Sequence, residues 1–198
     1  DLRLALRSAL LPLGDFAQTL AVVREAEQLA TALGDHQRLA QATFFLSLHL
    51  YLNGQHDEAV RAAQRAQALT AGRDPIMHAL ATYLTGIHLQ AQGQYTHATE
   101  CFERSLTALA GAKQRQFFNL AILPSVTSCA FLATCSAELG HFPRAHAYGV
   151  QGLEIAEAVG HPPSTMFAAW GAGWAAFRQG DAPCALSLLE RALGICRD

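Results

Sequence analysis

Nine histidines and five cysteines are the side chains of this 198-residue chain best suited to hold a metal or act as nucleophiles. A helical zinc site needs two imidazoles at i and i+4, on one face, or a closely spaced thiol pair. The histidines are His36, His49, His56, His78, His88, His97, His141, His146 and His161, and none stands four residues from another. The cysteines (Cys101, Cys129, Cys135, Cys184 and Cys196) contain no C-x-x-C pair. A reactive thiol needs a base and a third group that orients the base. Cys135 has a histidine only far along the chain, and no third group is recognisable. The segment Gly171-Ala-Gly173-Trp-Ala-Ala176 has the letters of a loose dinucleotide fingerprint. That motif works only after a strand and at an exposed turn. Here it lies inside an apolar helical pattern, where small residues serve helix packing. There is no Walker A loop and no His-Glu-x-x-His. Isolated carboxylates such as Glu138 and Glu154 read as solvated helix faces. The expectation is no catalytic residue, no metal, no cofactor and no enzyme.

The elements that position these residues come from composition and pattern. Hydrophobic residues make up 51% and charged residues 15%, against about 25% charged in an average domain. That excludes intrinsic disorder, which needs few apolar residues and many charges. No run of 18 apolar residues exists, so no membrane helix is expected. The net charge is −2; thirteen scattered arginines and the single Lys113 form no basic patch, so neither nucleic acid nor membrane is an expected partner. An odd number of cysteines and no signal peptide fit reduced thiols in the cytoplasm. The chain starts at Asp1 inside an apolar pattern, which suggests a segment of a longer protein.

Two interleaved series of glycines punctuate the sequence. Gly14, Gly54, Gly93, Gly140 and Gly180 are spaced by 40, 39, 47 and 40 residues. Gly34, Gly72, Gly111 and Gly160 fall between them. Intervals of about 17–20 residues suit helices of four to five turns. Glycine just past a helix end takes the left-handed conformation without Cβ strain. Pro75, Pro124, Pro162 and Pro163 follow the second series, where a new helix can start without an N–H. Ala59, Ala63 and Ala66 share one helical face, and strand alternation is absent. The pattern predicts helix A, tight turn, helix B, about five times over: repeats 1–34, 35–73, 74–112, 124–160 and 162–198, with an insertion at 112–124, in one domain, 1–198.

This pattern resembles the tetratricopeptide (TPR) repeat: small residues in helix A, glycine at the turn, then alanine, a large apolar residue and alanine along helix B. Thr85, Gly86, Leu89, Gly93, Tyr95, Ala98, Phe102 and Ser105 match best. Leu132, Ala133, Gly140, Phe142, Ala145 and Gly152 follow the same frame, as do Ala172, Gly173, Ala176, Gly180, Ala185, Leu189 and Ala192. Repeat one is degenerate, with Arg7 where a small residue belongs. The period is near 40 rather than the usual 34. The resemblance implies an all-α, right-handed α-α superhelix of the TPR-like solenoid type. Long repeats of this kind are similar to those of bacterial multidomain signalling proteins, which carry a switch ATPase and sometimes a nucleotidyl cyclase. The implied function is a non-catalytic protein-interaction or regulatory module. Alternatives are a sensor for a small molecule or short signalling peptide, and a self-association module.

In that frame the A helices line a groove. The groove positions are Phe44, Phe45, Leu48, Tyr51, Tyr83, Ile87, Phe131, Trp170, Trp174 and Phe177. Half-exposed aromatic side chains there would form a patch of about 500–900 Å², at or above the largest on a typical monomer. Either the stripe packs on itself or it holds a peptide, a protein segment, another domain of the parent chain, or another copy. The carboxylate clamp known in some relatives is not expected, because no lysine occupies the groove. The insertion carries Arg115, Phe117 and Phe118. It is read either as a contact over the groove or as a plug between repeats three and four.

Overall fold

The computed structural model describes residues 2–197. Among the described residues there are helices and turns but no strand. In order they are α1 (Leu2–Leu10), α2 (Phe16–Ala32), α3 (His36–Leu52), α4 (His56–Thr70), α5 (Pro75–Ala91), α6 (Tyr95–Ala108), α7 (Pro124–Glu138), α8 (Phe142–Val159), α9 (Pro162–Gln179) and α10 (Ala182–Arg197). Short 3-10 turns occupy Leu11–Leu13 and Gly111–Arg115.

Local chemistry sets the boundaries. Asp15, Asp35 and Asp181 each accept a hydrogen bond from the backbone N–H three residues on, at 2.9, 3.0 and 3.1 Å. Each thereby satisfies a donor that the first helical turn leaves free. Asp74 does the same for the N–H groups of Ile76 and Met77. All nine glycines of the two series lie at positive φ, between 65° and 88°. An L side chain at those positions would be strained, which is why glycine ends the helices so regularly.

The chain forms two compact units, Asp1–His88 and Leu89–Asp198, which divide within α5. In the first unit α2 packs on α1 and on α3, and α3 packs on α4. Its core is built from Val23, Ala40, Phe44, Phe45, Leu50, Ala59, Ala63 and Ala66, all buried. In the second unit α7 is central, packed against α6, α8 and α9. Every residue from Pro124 to Ala137 is buried. The sequence explains this, because that stretch holds no charged residue, and a helix without a polar face belongs inside. Its threonines turn inward on the helix itself: Thr127 donates to the Leu123 carbonyl at 3.1 Å and Thr134 to the Phe131 carbonyl at 3.0 Å. Gly171 lets α9 lie directly on α7, since a Cβ there would stand 2.6 Å from Cβ of Ala130. The Gly171–Ala176 segment is therefore a packing surface within α9.

Candidate functional site

In the first unit, most of the aromatic stripe belongs to the core. Phe44 and Phe45 are fully buried and meet edge-on, with ring centroids 5.1 Å apart. Tyr83 and Ile87 are buried as well. Arg7, the residue that spoils the first repeat, explains part of this. Its guanidinium carbon lies 3.8 Å over the Phe45 ring and its side chain is enclosed. The ring face attracts the cation, and burial pushes the Arg7 pKa down to about 10. Of the six stripe residues here, only Leu48 and Tyr51 are half-exposed.

Tyr51 sits between two histidines, its ring centroid 5.4 Å from that of His56 and 5.5 Å from that of His88. The Ser47 hydroxyl donates to the Ala59 carbonyl at 2.9 Å and lies 2.8 Å from Nε2 of His88. A hydroxyl has one proton to give, so Nε2 of His88 is the donor in the second contact. Burial is the main reason that His88 and His49 are both held down to about 4; the His56 charge adds to the effect on His88 and the Arg7 charge to that on His49. Both rings are neutral near pH 7. The sequence marked these histidines only as metal candidates; their role is that of buried neutral core groups.

The second unit treats its aromatic residues differently. Phe102 of α6 stacks on Phe131 of α7, centroids 5.4 Å apart. Phe131 meets Phe167 edge-on at 5.5 Å and Trp170 at 6.0 Å. Phe167 and Trp170 touch at 5.1 Å. Further along α9, Trp174 and Phe177 pair at 5.9 Å. The run is buried at Phe102 and Phe131, half-buried at Trp170, and open at its far end, where Trp174 is 37% and Phe177 57% exposed. Phe167 was missed by the groove frame, although its spacing three residues before Trp170 marks the same helical face.

Glu138 fixes the open end. One carboxylate oxygen accepts the Trp174 indole N–H at 3.1 Å, and the other pairs with Arg178 at 2.9 Å. Glu138 is thus not the isolated solvated carboxylate that its place in the sequence suggests: it holds both the Trp174 indole N–H and the Arg178 guanidinium. Among the described residues, Trp174, Phe177, Glu138 and Arg178 form the clearest preorganised surface cluster, with an apolar face and a paired-charge rim.

The insertion folds onto the second unit. Phe117 is half-buried against the cluster of Leu123, Val126, Ile155 and Ala168, and meets the His161 ring edge-on at 4.7 Å. The Ser125 hydroxyl donates to the Gln114 carbonyl at 2.5 Å and pins the loop. Phe118 and Asn119 both take positive φ, 51° and 61°. That is uncommon, most of all for a bulky aromatic residue. Phe118 is half-exposed and Arg115 exposed. Phe117 thus serves the core of this unit, whereas Arg115 and Phe118 remain on its surface.

Among the described residues, no three His, Cys, Asp or Glu side chains group as a metal site requires, and no helix is long and apolar enough to cross a membrane. Cys129 and Cys135 are fully buried, and burial pushes both thiols up to about 12.

No family model matches the chain, and no curated protein matches it. Solved structures do match. A putative kinesin light chain from Podosopora anserina with TPR-like repeats superposes with a TM-score of 0.69 at 18% identity, covering 98% of this chain and 92% of that one. The apo form of RapI gives a TM-score of 0.74 at 17% identity, covering 99% and 69%. YrrB, described as a TPR protein with an unusual peptide-binding site, gives 0.53 at 18% identity, covering 99% and 86%.

Proposed function

We propose that this chain, which has the all-α, TPR-like solenoid fold of helix-turn-helix repeats, is a non-catalytic interaction module that binds a peptide or protein segment, with Trp174 and Phe177 of α9 as the anchor. The observation that carries this reading is the open end of the aromatic run, with its indole held by Glu138. Tryptophan is enriched among the residues that dominate binding energies, and a preorganised ring loses little entropy on contact. YrrB supports a peptide as occupant, because its peptide-binding site shows the fold in that use. The ligand that fits is a helix or extended segment with an apolar side chain to lay on the indole face. As part of a larger signalling protein, such a module would act by differential binding, since a ligand shifts only an equilibrium whose states it distinguishes.

Selection of peptides from a random library on the intact chain tests this. Peptides that bind should lose roughly 30-fold or more in affinity to a Trp174→Ser, Phe177→Ser double variant, the size of a ~2 kcal/mol hot spot. Equal binding to the variant would remove the proposed anchor.

A further inference from the structure

A cavity of about 360 Å³ lies within the first unit, among the start of α3, the end of α4 and the turn that leads into α5. Helices precede α3 and follow that turn, so the cavity sits between neighbouring repeats. Small-molecule sites occupy roughly 300–1,000 Å³. The floor is formed by Ala40 and Thr70, both buried, and Leu69, half-buried. The Thr70 hydroxyl donates back to the Ala66 carbonyl at 2.8 Å, so the floor presents mainly carbon. The rim carries His36, Gln37, Arg73 and Asp74.

The negative groups around this cavity are already engaged. Asp74 accepts the N–H groups of Ile76 and Met77. Asp35, beside His36, accepts the Arg38 N–H and pairs with its guanidinium. The carbonyls of Gln67 and Thr70 at the end of α4 take the N–H groups of Ala71, Arg73 and Asp74. The donors are not engaged. Among the described residues, the Arg73 guanidinium, the His36 ring and the Gln37 amide have no hydrogen-bond or ion-pair partner, and all three residues are exposed. The turn explains how Arg73 comes to stand there. Asp35 follows Gly34 directly, whereas Arg73 is inserted between Gly72 and Asp74. The cap of α5 does not need this extra residue, and its side chain lines the cavity.

We infer that this cavity binds a carboxylate that carries a small apolar body, with the head on Arg73 and the body over Ala40 and Leu69. A guanidinium offers parallel N–H donors that match the two oxygens of a carboxylate. His36 and Gln37 add donors from α3. One unpaired arginine balances one negative charge, which suits a carboxylate better than a polyphosphate. A free organic acid and the C-terminus of a peptide both present this head group. The site is separate from Trp174 and Phe177, which belong to the second unit.

Titration of the isotope-labelled intact chain with N-acetyl-leucine, followed by NMR, reads this directly. The amide signals of residues 36–40 and 69–74 should shift and saturate. N-acetyl-leucinamide keeps the body but lacks the charge, and should bind about 10-fold more weakly or worse. Arg73→Gln should cost the acid a similar factor, as should Gln37→Glu, which sets a negative charge on the rim. Both side chains are exposed, so helicity and melting should not change. Arg61→Gln, at an exposed arginine of α4 outside the cavity, should bind as the wild type does. A tetrapeptide acid ending in leucine separates the two sources: binding at least as tight as that of N-acetyl-leucine assigns the site to a chain terminus, and weaker binding assigns it to a free acid. No saturable shift at these residues with either acid overturns the inference. So do equal binding of acid and amide, an Arg73→Gln variant that binds like the wild type, or an equal loss in Arg61→Gln.

Discussion

The two units hold aromatic residues of the same A-helix stripe and use them in opposite ways. In the first, Phe44, Phe45 and Tyr83 are buried, and Arg7 is laid over the Phe45 ring. In the second, the run that begins in the core at Phe131 emerges along α9 and ends at Trp174 and Phe177 in solvent. The difference lies in what each helix is packed against. A large side chain from α1 fills the space beside Phe45, whereas Trp174 near the end of α9 gives its indole N–H to Glu138, which also pairs with Arg178. A pattern at helical spacing therefore says which residues share a face, while the neighbours decide whether that face is core or surface.

The sharpest way to break the comparison is to truncate one ring in each unit. Phe45→Ala leaves a cavity in a closed core and removes the surface under Arg7, and should cost about 3–5 kcal/mol in urea unfolding. Trp174→Ala should cost less, about 1–2 kcal/mol, because its side chain is already 37% exposed. Comparable losses at the two positions would erase the distinction.

Acid should separate the units next. His49 and His88 are held near 4, below the ordinary value of 6.5. The unfolded chain takes up protons below that ordinary value while the folded unit does not. Stability is therefore complete above about pH 6.5 and falls as pH drops toward 4, by up to ~3 kcal/mol for each histidine. Hydrogen exchange at descending pH should show the first unit opening before the second, and His49→Leu should remove about half of that acid sensitivity. Equal acid stability of both units would contradict the assignment.

A smaller effect is expected at Gly171→Ala. Its new Cβ would fall 2.6 Å from Ala130 Cβ and 2.7 Å from its Cα. The backbone of α7 cannot step aside, so overpacking should cost roughly 1–3 kcal/mol in thermal unfolding. Unchanged stability would show that α9 does not bear on α7 as described.

Much of the fold was legible because it depends on local chemistry. The two glycine series, read from spacing alone, are the nine glycines of left-handed conformation, and the prolines after the second series stand at the first positions of α5, α7 and α9. The candidate site was legible only in part. Trp174 and Phe177 were marked by their helical spacing, but their exposure depends on how α9 lies against α7. Arg7 looked like a flaw in the repeat; its burial over Phe45 is a long-range contact that no local pattern encodes. Glu138 and Trp174 are 36 residues apart, so their hydrogen bond was equally invisible. The insertion was ambiguous for the same reason: a Phe-Phe pair does not say which ring turns inward.

The proposed landing place of a ligand is the open end of α9. It is tested most directly by the emission of Trp174 itself. The chain has two tryptophans, so Trp170→Phe leaves Trp174 as the sole reporter. Titration with a library-selected peptide should shift its emission to the blue and protect it from acrylamide quenching, as the exposed part of the side chain is covered. A peptide that binds tightly while the emission and quenching of Trp174 stay those of the free protein would contradict the account.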